Sequence, residues 1–390
     1  MTSAVYLNPP AGTWRFDAHS PSSDNSSTTR LTPHAFHRHL PFYDLSPLRS
    51  LPTIAASLGL SHVLVKDESS RFGLPAFKIL GASWTFYRAI CERLGVDFNK
   101  TEFLKPGALG TVAREQGVGG LKVITTTEGN WGRAMAKMRT YFGLDTVVYV
   151  PGHMVEGTRE LIRKEGAEVP VVDGNYLDAV DAVMKRAASD KESLMVVDSS
   201  FEGYESVQKW VVEGYQTMLD ESDEQVNLIT GGKFATHTVI PVGCGSIAQA
   251  VTQHCKSGQR EKSGTPASAV IAVEPTTAAC LKTSLESGEA TSVMTGASIM
   301  CGMNCGALST TAWPILQAGV DASVVVSDSE SHNAVLELHD FGVNAGPCGA
   351  AALAALRIAC ASEKKGLGLD QNSVVVLNCT EGARDYIVPT

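Results

Sequence analysis

Between residues 121 and 189 the chain alternates β-branched runs with helix-patterned runs three times, and this constrains the fold more than any other feature. LKVITTT precedes GRAMAKMRTYFG, DTVVYVPG precedes MVEGTRELIRKEG, and AEVPVVDG precedes NYLDAVDAVMKRAA. Strands separated by whole helices need crossover connections, which set them parallel in a sheet covered by helices. Upstream, LSHVLVKDE leads into a helical spacing of Trp84, Tyr87, Ile90 and Leu94. Downstream, HTVIPVG, SAVIAVEP and SVVVLNC resume the pattern after a polar, acidic stretch at 219–227. The reading is an α/β protein in which a smaller α/β domain, 121–205, is inserted between the halves of a larger one, 1–120 and 206–390. Residues 1–50 read as an irregular arm, with an exposed Ser/Thr/Asn run at 20–29.

Charge narrows the function classes. Lys plus Arg total 32 against 41 Asp plus Glu, a net charge of −9, with no long basic run, which disfavours a nucleic-acid partner. The apolar runs are too short to span a bilayer, and no basic stretch followed by an apolar one opens the chain. A soluble cytoplasmic protein is expected. The nine cysteines lack a four-ligand metal pattern, so reduced thiols and no metal site are expected. The 36 glycines suggest many tight strand-to-helix turns.

Four segments carry chemistry. In AFKILGAS at 76–83, Lys78 stands between apolar neighbours at the start of a helix. Desolvation of that kind depresses an amine's pKa and lets it attack an aldehyde, although alone the residue reads at least as well as a lysine laying its stem on apolar surface. In TTTEGNWGR at 125–133 a strand turns into a helix with Gly129, Asn130 and free N–H groups facing outward, equally a capped helix and an anion site. Glu128 in that turn is an acid/base candidate or a carboxylate favourable to the helix dipole. In GCGS, Gly243, Cys244, Gly245 and Ser246 join a strand to a helix, an arrangement that presents backbone N–H groups to a phosphate; it is neither a Walker loop nor GxGxxG. Finally, VVVLNCTEGARD ends a buried strand in Cys379 and Thr380, where side chains face a ligand crevice.

A lysine, an asparagine turn, a phosphate-cradling turn and a polar strand end, in that order, describe a pyridoxal phosphate site. The chain resembles the tryptophan synthase β-like group, fold type II of the pyridoxal phosphate enzymes, and within it the diaminopropionate ammonia-lyases. The likeness lies in KDESSRFGLPAFKILGAS (66–83), TTEGNWGR (126–133), GNYLDAV (174–180) and DSSFEGYESVQKWVVEGY (198–215). It continues through PVGCGSIAQAV (241–251), AVEP (272–275) and CTEGARD (379–385).

The resemblance implies two open, twisted, mostly parallel sheets flanked by helices, with the cofactor in the cleft between a large and a small domain. It implies that Lys78 carries the cofactor, that Asn130 bonds its ring oxygen, and that the backbone of 243–246 binds its phosphate. Cys379 or Thr380 would face the ring nitrogen as a neutral partner favouring β-elimination, and Glu128 stands where these lyases have an acid/base aspartate. A homodimer is implied, and Cys280 and Cys301 fall near cysteine positions of the lyases, where one disulfide is conceivable. Trp131 departs from the lyase pattern, which has histidine there. The expected reaction is elimination of ammonia from 2,3-diaminopropionate or a related β-substituted amino acid through an aminoacrylate, giving pyruvate and ammonia. Its alternatives are β-replacement on the bound aminoacrylate and, less favoured, a non-catalytic cofactor-binding relative.

Overall fold

The computed structural model describes residues 3–17, 30–127 and 129–389. Two sheets organise the chain. The larger contains β1 (Val5–Leu7), β2 (Leu48–Ser50), β3 (His62–Asp67), β8 (His237–Pro241), β9 (Ala269–Pro275), β10 (Ala322–Val326) and β11 (Val374–Cys379), in the order β1-β10-β9-β8-β11-β3-β2. Its inner strands run parallel, while β1 and β2 close the edges antiparallel. The smaller, all-parallel sheet contains β4 (Lys122–Thr126), β5 (Asp145–Pro151), β6 (Val171–Val172) and β7 (Ser193–Met195), in the order β6-β5-β4-β7. Every residue of β8 and β11 is buried, as befits central parallel strands covered on both faces. The α/β architecture with two mostly parallel sheets is the expected one. No helix among the described residues is long and apolar enough to cross a membrane.

The helix Lys78–Leu94 joins the two halves. Trp84, Tyr87, Ile90 and Leu94 are buried as their spacing predicts, but so are Ile79, Ala82, Phe86 and Ala89 on its other sides. The reason is that helices Ser206–Gly214, Asn130–Phe142 and Pro33–His39 all pack on it. Gly81 and Gly214 mark one crossing: a Cβ on Gly81 would lie 2.7 Å from the Tyr215 ring, and one on Gly214 2.6 Å from the Leu80 carbonyl oxygen.

The expected irregular arm is only partly so. The Ser/Thr/Asn run at 20–29 lies outside the described residues, but β1 pairs with β10 and Phe36 is fully buried in the main core. His37 is anchored by Thr217, Ser83 and the Leu80 carbonyl, and burial, with Arg71 nearby, pushes its imidazole down to about 3, so it stays neutral. The acidic stretch 219–227 belongs to the helix Gln216–Thr230, from which Glu221 turns inward to buried cations.

Those cations hold the segment that delivers Lys78. Lys66 Nζ donates to Glu221 Oε2 at 3.0 Å, and Arg71 reaches both Glu221 and Glu68 at 2.6 Å. Arg71 also donates to the Ser46 hydroxyl and the Asp44 carbonyl. These four charged side chains are almost wholly excluded from water. Beside them Phe72 adopts φ 53°, rare for a residue with a side chain, and its buried ring packs against Phe42, Tyr43 and His37. Removing one cation leaves a buried carboxylate uncompensated. Arg71→Met is therefore expected to cost about 3–5 kcal/mol, read as a lowered urea midpoint.

Candidate active site

A cleft of about 550 Å³, counting its open mouth, gathers the segments singled out in the sequence. Lys78, Asn130, Gly243, Cys244, Gly245, Ser246 and Thr380 all line it. Strand ends and helix starts explain the convergence: Lys78, Asn130 and Ser246 are the first residues of their helices, and Thr380 directly follows β11. Cys379 does not line the cleft. It is in phase with Val375 and Leu377, packs under the helix Pro347–Ser362 against Gly349, and its thiol donates to the Glu381 carbonyl at 3.5 Å. Glu128 lies outside the described residues.

The phosphate-type turn is shaped by the absence of side chains. A Cβ on Gly243 would come 2.9 Å from the Gly302 carbonyl oxygen, and Gly245 has φ 99° with Ala312 Cβ only 2.9 Å from where its own would stand. The ten-residue helix Ser246–Cys255 begins there, and no side chain among the described residues caps it. Its free N–H groups and dipole suit a phosphate. Gly243→Ala is expected to weaken pyridoxal phosphate binding by about tenfold or more, since even one displaced contact to a charged group has that scale; an absorbance titration would show it.

The asparagine turn is built by Thr127, whose Oγ1 accepts from the N–H groups of Gly129 at 2.9 Å and Gly132 at 3.0 Å. Trp131 points away from the cleft into the core, its Nε1 donating to Thr125 Oγ1 at 2.9 Å. In place of the histidine that the resemblance leads one to expect, this chain thus has a packing residue.

Sequence reasoning missed Asp198. Its carboxylate lies 2.5 Å from Lys78 Nζ, and its carbonyl accepts from Ser246 Oγ at 3.1 Å. The available signal was an acid just beyond the C-terminal end of β7, a parallel strand. Asp198 also reverses the expectation for the lysine. Burial lowers the Lys78 amine, but Asp198, with Tyr215 and Cys244 nearby, outweighs it and raises the amine above the ordinary lysine value. The depressed amine read from the apolar neighbours is therefore corrected: a carboxylate distant in sequence faces it. Tyr176, also missed, starts the helix Tyr176–Ser189; burial, then Asp198 and Cys244, push its hydroxyl up, so it stays protonated beside Lys78. Cys280 is buried, Cys301 is exposed, and neither is in a disulfide.

Residues 40–380 match the family described as pyridoxal-phosphate dependent enzymes. The chain belongs to that family. Its lysine, glycine turn and uncapped helix start fit the cofactor: the turn leaves room only for backbone, and the amine stands in the same cleft. Among curated relatives in the family, the chain is 35% identical over 298 residues to diaminopropionate ammonia-lyase of Salmonella typhimurium, covering 75% of this chain and 71% of the relative. It is 31% identical over 366 residues to the Escherichia coli protein of the same name, covering 90% and 87%. The crystal structure of diaminopropionate ammonia lyase from Escherichia coli in complex with an aminoacrylate-PLP azomethine reaction intermediate superposes with a TM-score of 0.79. It is 28% identical and covers 97% of this chain and 93% of that one. Threonine deaminase isoform 2 from Solanum lycopersicum, 20% identical, shares the fold with a TM-score of 0.70, covering 91% and 89%.

Proposed function

We propose that this enzyme eliminates ammonia from 2,3-diaminopropionate or a related β-substituted amino acid, yielding pyruvate and ammonia. The observation that carries the reading is the Lys78–Asp198 pair set beside an uncapped, glycine-rich helix turn in one cleft. The curated relatives, with their printed name, support the substrate.

Each residue has a role in this reading. The backbone of 243–246 holds the phosphate, Asn130 meets the ring oxygen, and Thr380 rather than Cys379 faces the ring nitrogen, because only Thr380 lines the cleft. When bound, the cofactor supplies an electron sink for the charge left at the substrate's α-carbon. Lys78 anchors the cofactor and, once released as the free amine, takes the α-proton. Asp198 stabilises the resulting ammonium at Nζ and so keeps the proton close to the departing group. A β-amino group leaves only when protonated, and the Lys78 ammonium is the donor the cleft offers, with the protonated Tyr176 hydroxyl near enough to feel its charge. Glu128 is kept as a further acid/base group on its position in the asparagine turn. We also read the enzyme as a cytoplasmic homodimer. The cytoplasm is supported by nine cysteines outside any disulfide, the dimer by the family resemblance.

The test is a substrate screen with the cofactor-loaded protein: both diaminopropionate enantiomers, serine, threonine and O-acylated serines, assayed for 2-oxo acid and ammonia. Diaminopropionate should give two ammonia molecules per pyruvate, one from each nitrogen. Turnover that appears only when a thiol or amine is added would replace this reading with β-replacement.

A further inference from the structure

Gln208 lies in the helix Ser206–Gly214 with no exposure to solvent. Its Nε2 donates to Ser246 Oγ at 2.7 Å, and that hydroxyl donates onward to the Asp198 carbonyl at 3.1 Å. Cys244 Sγ sits 3.2 Å from the same oxygen. The other end of the amide, Gln208 Oε1, is buried without a hydrogen-bond partner. An apolar side chain of similar size would fill this space without orphaning a polar atom, so packing alone gives no reason for a glutamine.

Hydroxyl chemistry supplies one. A serine hydroxyl has a single proton and two acceptor positions. With the Gln208 N–H occupying an acceptor position, the Ser246 proton is directed outward to whatever acceptor is near. In this structure that acceptor is the Asp198 carbonyl. Ser246 also lines the cleft at the start of an uncapped helix, where an anion is best received.

We propose that Gln208 is a positioning residue for the cofactor's phosphate: it holds Ser246 so that the hydroxyl donates to a phosphate oxygen on the glycine turn. The proposal rests on reading 243–246 as the phosphate cradle, and it adds one charge-assisted side-chain donor to a cradle otherwise made of backbone. The run from amide to hydroxyl to phosphate polarises along its length, which strengthens the final bond.

The experiment titrates cofactor-depleted protein with pyridoxal phosphate and, separately, with pyridoxal, following tryptophan fluorescence, and records the ³¹P resonance of the bound phosphate. Gln208→Leu and Ser246→Ala should each weaken pyridoxal phosphate about tenfold, the scale of one charge-assisted hydrogen bond. Pyridoxal affinity should be unchanged, the ³¹P resonance should move in both variants, and the double variant should bind no worse than Ser246→Ala. Ser246→Thr, which keeps the hydroxyl, should restore affinity. Should Gln208→Leu fail to fold, Gln208→Met carries the same comparison. Equal weakening of both ligands, additive losses in the double variant, or unchanged phosphate affinity in the Gln208 variant would overturn the positioning role. Wild-type protein that prefers pyridoxal phosphate no more than pyridoxal would overturn the cradle itself, which separates the two failures.

Discussion

Lys78→Ala is expected to reduce ammonia release from diaminopropionate by at least about a thousandfold, because both the covalent anchor and the α-proton acceptor disappear with one amine. The cleft should survive, since the glycine turn and the helix start of Ser246–Cys255 do not depend on the lysine. Pyridoxal phosphate should therefore still bind, but reversibly, and should wash out on gel filtration without prior borohydride reduction. Reduction should trap the cofactor on the wild-type chain and not on the variant. A variant that retains turnover would remove Lys78 from the chemistry and leave the pairing with Asp198 as a buried ion pair only.

Asp198→Asn is the second large effect, and pH gives it a sign. Lys78 is partly withdrawn from water, which lowers its amine, and Asp198 is the chief influence raising it. A raised amine contributes stability that is fully present below the unfolded lysine value and is lost as pH rises through the higher folded value. In the wild-type chain this loss begins above the ordinary lysine range. With asparagine the opposing influence is gone, burial dominates, and the amine falls below the ordinary value. The variant should then capture pyridoxal phosphate faster than wild type at neutral pH, where a neutral amine is required. Turnover should still fall by about 10²–10³-fold, the range of a lost acid/base partner. Stopped-flow capture rates across pH 6–10, set beside steady-state kcat, separate the two effects. If capture and turnover fall together, Asp198 merely shapes the cleft.

Much of the large sheet was legible because β-branched runs such as VLV, TVI and VVVL need no partner to announce themselves. β10 carries the run ASVVV yet was not among the expected strands, and β1, β2 and β7 are three-residue pieces at sheet edges or beside one strand, too short for a pattern. The helix Pro347–Ser362 is buried on nearly every side, so PCGAAALAALRIACAS has no polar face to mark it. The turns at Lys78, Asn130 and 243–246 stood out because a polar residue opens a helix there with glycine close by. Asp198 did not, because its meaning lies in a partner 120 positions away. The sign of the Lys78 shift failed for the same reason: neighbours in sequence are apolar, whereas the neighbour in space is a carboxylate.

The helix Lys78–Leu94 belongs to one continuous apolar cluster that reaches from Val123 and Phe142 on the smaller sheet's side to Ile240 and Val270 in the larger sheet. A gene fragment encoding only the smaller sheet would leave Met135, Met138 and Phe142 facing water, so neither half is a transplantable module. Chimeras with related enzymes should therefore be cut so that this helix and the three helices packed on it come from the same parent, and a swap confined to 121–205 should yield insoluble protein.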